Sequence, residues 1–169
     1  MLIEPVGTQK YEMIAHTHNS PASNTYSVFS FSDLRVISNL LRRNKIDNSK
    51  FVCFLSTADG TNYAFTIDDP VQFLKVFALL KDVGYDQATS QNRSNQNIKY
   101  FDDYNISPTN TPLIVENSTS NLDDEKYFLD FISATNLSLT LFEVNNTFDS
   151  FEKVSHNTTT GNIDKITCN

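Results

Sequence analysis

The chain has 169 residues, of which 39% are apolar, so it is long enough to form one domain with a substantial buried core. Its formal net charge of −7 argues against nucleic-acid binding, which needs clustered lysine and arginine side chains. No apolar run approaches the ~20 residues of a membrane span and no signal-peptide pattern is visible, so we expect a cytoplasmic protein that binds neither membrane nor nucleic acid.

The first half of the chain predicts strands and helices in alternation. Helical spacing of apolar residues follows Ser30 and Ser32, either of which is a suitable N-cap. A turn at 58–61 separates two strand-like runs, which predicts a hairpin whose first strand holds Cys53 as a buried thiol. The expected elements are strands at 1–7 and 10–17, a helix from about 31 to 44, strands at 51–55 and 62–67, and a helix from 68 to 84.

The second half begins with a polar stretch that has no periodicity, at 85–120, and this predicts a long loop or linker. A helix at 123–134 and three short strands at 137–144, 148–154 and 163–168, arranged as a meander, are expected to follow. We therefore expect an α/β fold with a mixed sheet flanked by helices. Its core would span 1–84, and a C-terminal α+β extension at 121–169 would pack on that core.

Two of the three histidines in the chain, His16 and His18, end the strand predicted at 10–17. Side chains at positions i and i+2 of a strand point to the same face, so both imidazoles would enter one space. Asp33 starts the helical pattern and adds a carboxylate from its first turn. Two imidazoles and one carboxylate with an open fourth position are the ligands of a catalytic zinc site. The structural alternative is two partly exposed polar residues at a strand end.

The sequence His-Thr-His, a loop, and then Ser-x-x-Asp leading into an amphipathic helix resembles the motif of the JAMM (JAB/MPN-type) zinc metalloproteases. The stretch from 11 to 81 is similar to JAB-like domains of Bacteroidetes-type bacterial proteins. The resemblance implies a JAB/MPN-like, cytidine-deaminase-like fold. It also implies that His16, His18 and Asp33 bind Zn²⁺ with a water completing the coordination, and that Ser30 supports the oxyanion of the tetrahedral intermediate.

The chain departs from the family pattern at two places. Asn19 stands where the family usually has proline, and the eleven residues between His18 and Ser30 make a longer loop, which costs little free energy. The second departure concerns the general base, a glutamate that the resemblance places on a different strand, upstream of the histidines.

No glutamate near the N-terminus fits that role. Glu12 shares the face of His16 but lies about 13 Å from it along the strand. Glu4, on the expected first strand, does not reach the site if residues 7–8 form a tight turn. Glu116 and Glu143 remain open as candidates.

Two functions follow from the resemblance. The first is a zinc-dependent metallopeptidase or isopeptidase in which a zinc-bound water attacks the carbonyl of a peptide or protein substrate. The second is a catalytically inactive JAB-like binding or assembly module that lacks the general-base glutamate.

Overall fold

The computed structural model describes residues 7–18, 27–58, 60–80 and 121–168. These residues form a mixed α/β structure with one six-stranded sheet and three helices. None of the helices in these ranges has the length and apolarity that crossing a bilayer demands. The elements are β1 (Met13–His18), α1 (Phe31–Arg42), β2 (Val52–Thr57), β3 (Asn62–Ile67), α2 (Pro70–Leu80), α3 (Asn121–Thr135), β4 (Leu139–Val144), β5 (Phe151–Asn157) and β6 (Asn162–Thr167).

The six strands lie in the sheet in the same order as in the chain. β1 and β2 are parallel, and α1 makes the crossover that a parallel pair requires. Every later pair is antiparallel, which confirms the predicted hairpin of β2 and β3 and the C-terminal meander. β4 pairs with β3, with Leu141 opposite Phe65, so the C-terminal strands extend the same sheet.

The hydrophobic core lies on one face of this sheet. Its strand residues occupy alternate positions, for example Cys53, Leu55 and Leu141, which the register places on a single face. Buried side chains from all three helices belong to the same cluster, including Leu34, Phe73 and Phe128. His16 and His18 lie on this face by the same alternation. Cys53 is buried, as predicted.

Local signals explain the boundaries of the first two helices. Ser30 caps α1 through a capping box with Asp33, and α1 ends just before Asn44, whose φ of 56° lies in the left-handed region. At the start of α2, Asp69 Oδ1 accepts hydrogen bonds from the backbone N–H groups of Val71 and Gln72, at 2.8 and 3.1 Å.

Some predicted boundaries differ from the structure or fall outside the described residues. α3 begins at Asn121, two residues earlier than expected. β5 begins at Phe151 instead of 148, because the side chain of Asn145 accepts hydrogen bonds from the N–H groups of Asp149 and Ser150 and closes a turn in which Phe148 has a φ of 58°. The strand expected at 1–7, apart from its last residue, the loop at 85–120 and the end of the second helix lie outside the described residues.

Candidate metal centre

The two histidines of the motif lie on the edge strand β1 and face the same side. The parallel register places His16 opposite Leu55 and His18 opposite Thr57, so both project toward the core face. Their ring centroids are 5.1 Å apart. Phe29, which is fully buried just before α1, packs against the ring of His16 with centroids 5.9 Å apart. The strand and this aromatic contact together restrict the position of both imidazoles.

Asp33 approaches the histidines from the first turn of α1. Its Oδ2 accepts hydrogen bonds from the backbone N–H of Ser30 at 2.6 Å and from the Ser30 hydroxyl at 2.8 Å. Its Oδ1 lies 3.1 Å from His16 Nε2, and its Oδ2 lies 3.3 Å from His18 Nε2. The structure therefore brings together all three of the predicted ligands, and the helix cap orients the carboxylate.

The Nε2 atom of His16 is buried and has no hydrogen-bond partner. Asp33 Oδ1 lies 3.1 Å from this nitrogen, but the angle between the two groups does not allow a hydrogen bond. A buried polar atom without a partner costs free energy, and a metal ion at this position would remove that cost. This unpartnered nitrogen is therefore evidence that the site is built for a ligand.

The separations between the donor atoms also fit a metal. One donor atom from each residue can be chosen so that all three lie within 4.8 Å of one another. Donors at about 2.0–2.1 Å from a tetrahedral ion are roughly 3.4 Å apart. Each imidazole lies at a similar distance from one of the two carboxylate oxygens, with His16 Nε2 3.1 Å from Asp33 Oδ1 and His18 Nε2 3.3 Å from Asp33 Oδ2. Two nitrogens and one carboxylate oxygen are a donor set that suits zinc.

The charge state of Asp33 is favourable for binding a cation. Burial by itself raises the pKa of this carboxyl group, but the imidazoles of His16 and His18 beside it lower the pKa by more in combination. The pKa is held well below its usual range, so the group is a carboxylate at neutral pH. Side chains of the three ligands are 12–29% exposed, which leaves the site open to solvent.

The structure places Ser30 beside the ligand Asp33. The Ser30 hydroxyl donates to Asp33 Oδ2 and accepts from the Asp33 backbone N–H at 3.3 Å. A hydroxyl has a single hydrogen, and here the carboxylate receives it. Ser30 thus orients a metal ligand, and its support of an oxyanion stays a prediction.

Neither of the two candidate general bases that lie in the described residues joins the group. Glu12 is exposed and pairs with Lys50 at 2.9 Å. Glu143 lies on β4, three strands from β1 in the same row of the sheet, or roughly 14 Å away. Glu4 and Glu116 lie outside the described residues. Within the described ranges, the cluster of potential ligands consists of His16, His18 and Asp33.

Two other polar groups were not predicted from the sequence. Glu125 at the start of α3 is buried, 3.5 Å from the hydroxyl of Tyr63. His156 Nδ1 on β5 lies 2.6 Å from Asp130 Oδ1 on α3. The acidic run at 123–125 predicts only a favourable helix N-terminus, since nothing local to it indicates which of its carboxylates face the sheet.

The chain matches no protein-family model, and no curated protein or solved structure is significantly similar to it. The motif, its spacing and the geometry of the three ligands are therefore the basis for assigning a function.

Proposed function

We propose that this protein is a zinc-dependent hydrolase of the JAMM (JAB/MPN) type that cleaves a peptide or isopeptide bond in a protein substrate. His16, His18 and Asp33 are its metal ligands. The observation that carries the proposal is that donor atoms of these three residues lie close together and that one of them, His16 Nε2, is buried without a hydrogen-bond partner. The parallel β1–α1–β2 unit and the hairpin that follows it are also consistent with a JAB-like core.

The donor set defines the chemistry that the site supplies. Zinc held by two imidazoles and one carboxylate polarises a carbonyl oxygen and lowers the pKa of a water molecule to near neutrality. The protein contributes the rigid placement of the ligands: β1 sets the spacing of the two imidazoles, and the helix cap holds the carboxylate.

Ser30 has two roles in this proposal. Its backbone N–H and its hydroxyl both hold Asp33. When the hydroxyl turns toward a developing oxyanion, the backbone N–H still holds the carboxylate at 2.6 Å, so the ligand stays oriented.

A second candidate function is a binding or assembly module that holds the metal without catalysis. The observation that favours it is the lack of a glutamate beside the three ligands within the described residues. The two candidates share the metal and differ in turnover, so one set of measurements separates them.

The test begins with metal content. Elemental analysis of the purified protein should find about one zinc per chain, and cobalt in its place should give the visible spectrum of a tetrahedral site. Both signals should be lost in His16→Ala and retained in His156→Ala. The latter is a matched control, because His156 also pairs with an aspartate but joins no cluster of three potential ligands among the described residues. Protein that neither contains zinc nor takes it up would contradict both candidates.

Turnover then decides between them. A panel of peptide and isopeptide substrates should be hydrolysed by the zinc-loaded protein, and His18→Ala should abolish that activity. Stoichiometric zinc without hydrolysis of any substrate would favour the binding module.

A further inference from the structure

A cavity of about 250 Å³ lies directly beside the metal ligands. It is lined by His16, by Asp33 and by five apolar residues, namely Ile14, Ala15, Val36, Ile37 and Cys53. The cavity thus shares two of its lining residues, His16 and Asp33, with the candidate metal centre. A group bound in the cavity therefore lies next to the metal position.

The lining indicates what the cavity accepts. Ile14, Ile37 and Cys53 are buried, whereas Val36 is 42% exposed and lies where the cavity reaches the surface. Apart from the two candidate ligands, the described residues contribute no charged side chain to its lining. A cationic group would lose its hydration there without gaining a counter-ion, because a divalent cation bound by one carboxylate would leave a net positive charge. Cavities for whole drug-sized ligands start at ~300 Å³, so this volume suits a single apolar side chain.

The strand beside the cavity indicates how the rest of the ligand lies. The carbonyls of Glu12 and His18 accept hydrogen bonds from the N–H groups of Val52 in β2 and of Ala58 just after β2, at 3.0 and 2.9 Å. Successive residues of a strand point their backbone groups to opposite sides, so Met13, Ala15 and Thr17 direct theirs to the outer edge. No strand in the described part of the chain pairs with that edge. An extended peptide can add to it as a further strand.

We infer that the cavity is the subsite for one aliphatic side chain of an extended peptide, whose backbone pairs with the outer edge of β1 and whose adjoining carbonyl faces the metal ligands. The inference rests on the proposed function and specifies its substrate class. Such a subsite prefers a leucine-like residue next to the scissile bond to a small or cationic one, and a peptide to a free amino acid.

The test uses hydroxamates, which bind a zinc ion without being hydrolysed. Zinc-loaded protein is titrated with acetylated leucine, alanine and lysine hydroxamates. The leucine compound should bind at least about tenfold more tightly than the other two, since a few methylene groups in an apolar pocket supply that much discrimination. Val36→Phe places a larger side chain where the cavity opens to the surface and should remove the preference for leucine. Val71→Phe makes the same change at an exposed valine of α2, outside the cavity, and should leave the preference unchanged. If Val36→Phe does not fold, Val36→Ala serves instead and should extend the preference to larger side chains.

The edge is tested with a tripeptide hydroxamate that ends in leucine. It should bind more tightly than acetyl-leucine hydroxamate, and Ala15→Pro should cancel this gain. Proline at an outward-facing edge position removes the backbone N–H that would bind the peptide, and it leaves the pairing of β1 with β2 in place. Unchanged zinc content of the variant shows that the metal centre is intact. If zinc-loaded protein binds the leucine, alanine and lysine hydroxamates equally, this inference is overturned and the proposed function stays intact. The same holds if it binds the tripeptide hydroxamate no more tightly than acetyl-leucine hydroxamate. Protein that binds neither zinc nor any hydroxamate overturns both.

Discussion

Glu125 makes the stability of the fold depend on pH in a direction that can be tested. The residue is 3% exposed, its Oε1 atom has no hydrogen-bond partner, and its Oε2 lies 3.5 Å from the hydroxyl of Tyr63. Burial raises the pKa of its carboxyl group to about 7, and the negative charge of Glu143 acts in the same direction. Lys165 opposes the rise, but its ammonium group lies 2.5 Å from Glu143. Glu125 therefore holds a proton below about pH 7.

The sign follows from proton binding in the two states. In the unfolded chain this group has a pKa of 4.5, so between about pH 4.5 and 7 the folded state binds more protons than the unfolded one. The free energy of unfolding then falls as the pH rises through this range, and it falls no further above the folded pKa. Each pH unit between the unfolded and the folded pKa corresponds to about 1.4 kcal/mol, so ionising Glu125 in the folded protein costs up to about 3 kcal/mol. A loss of that size lowers Tm by roughly 6–12 °C for a chain of this length.

Urea unfolding at pH 5 and pH 8 measures this effect in wild type and in Glu125→Gln. At pH 5 the two proteins should have similar stability, because glutamine resembles the protonated acid. At pH 8 the variant should be more stable by up to about 3 kcal/mol. The other ionisable groups are the same in both proteins, so their contribution cancels in the difference. Glu12→Gln, at an exposed carboxylate, is the control and should follow wild type. Parallel pH profiles for Glu125→Gln and wild type would refute the reasoning.

Three further outcomes are expected. Zinc at 100 times its Kd should raise Tm by about 5–10 °C in wild type and in His156→Ala; an equal rise in His16→Ala would show that the ion binds elsewhere. Ser30→Ala should cost about 1 kcal/mol through the lost helix cap and weaken zinc binding at least about tenfold through the loosened ligand. Calorimetry would check both effects against Ser32→Ala, and equal zinc affinity in the two variants would contradict the role of Ser30. Phe29→Ala should cost about 3–5 kcal/mol, because the ring is fully buried against three other rings; a loss below about 1 kcal/mol in urea unfolding would contradict that packing.

Much of the first half of the fold is predictable because its signals are local. The start of α1 depends on Ser30 and Asp33, which are three residues apart, and its buried face depends on apolar residues at helical spacing. The same holds for the metal ligands. Strand alternation alone places His16 and His18 on one face, and Asp33 belongs to the capping box of the next helix.

The remaining features depend on contacts between distant parts of the chain. The sequence near Glu125 does not indicate that this carboxylate would be buried beside Tyr63, which is 62 residues away. The ion pair of His156 and Asp130 joins a helix to a strand that no local pattern brings together.

The amino-acid sequence by itself determined the type and order of most described elements and the identity of the three candidate ligands. Hydrogen bonds and side-chain periodicity within a few residues are sufficient for these features. Only the tertiary structure decided that Asp33 lies 3.1 and 3.3 Å from the two imidazoles, that His16 Nε2 is buried without a partner and that an apolar cavity adjoins the site. These features depend on how α1 packs against β1 and β2, and distances across such an interface are set by the shapes of side chains that are far apart in the sequence.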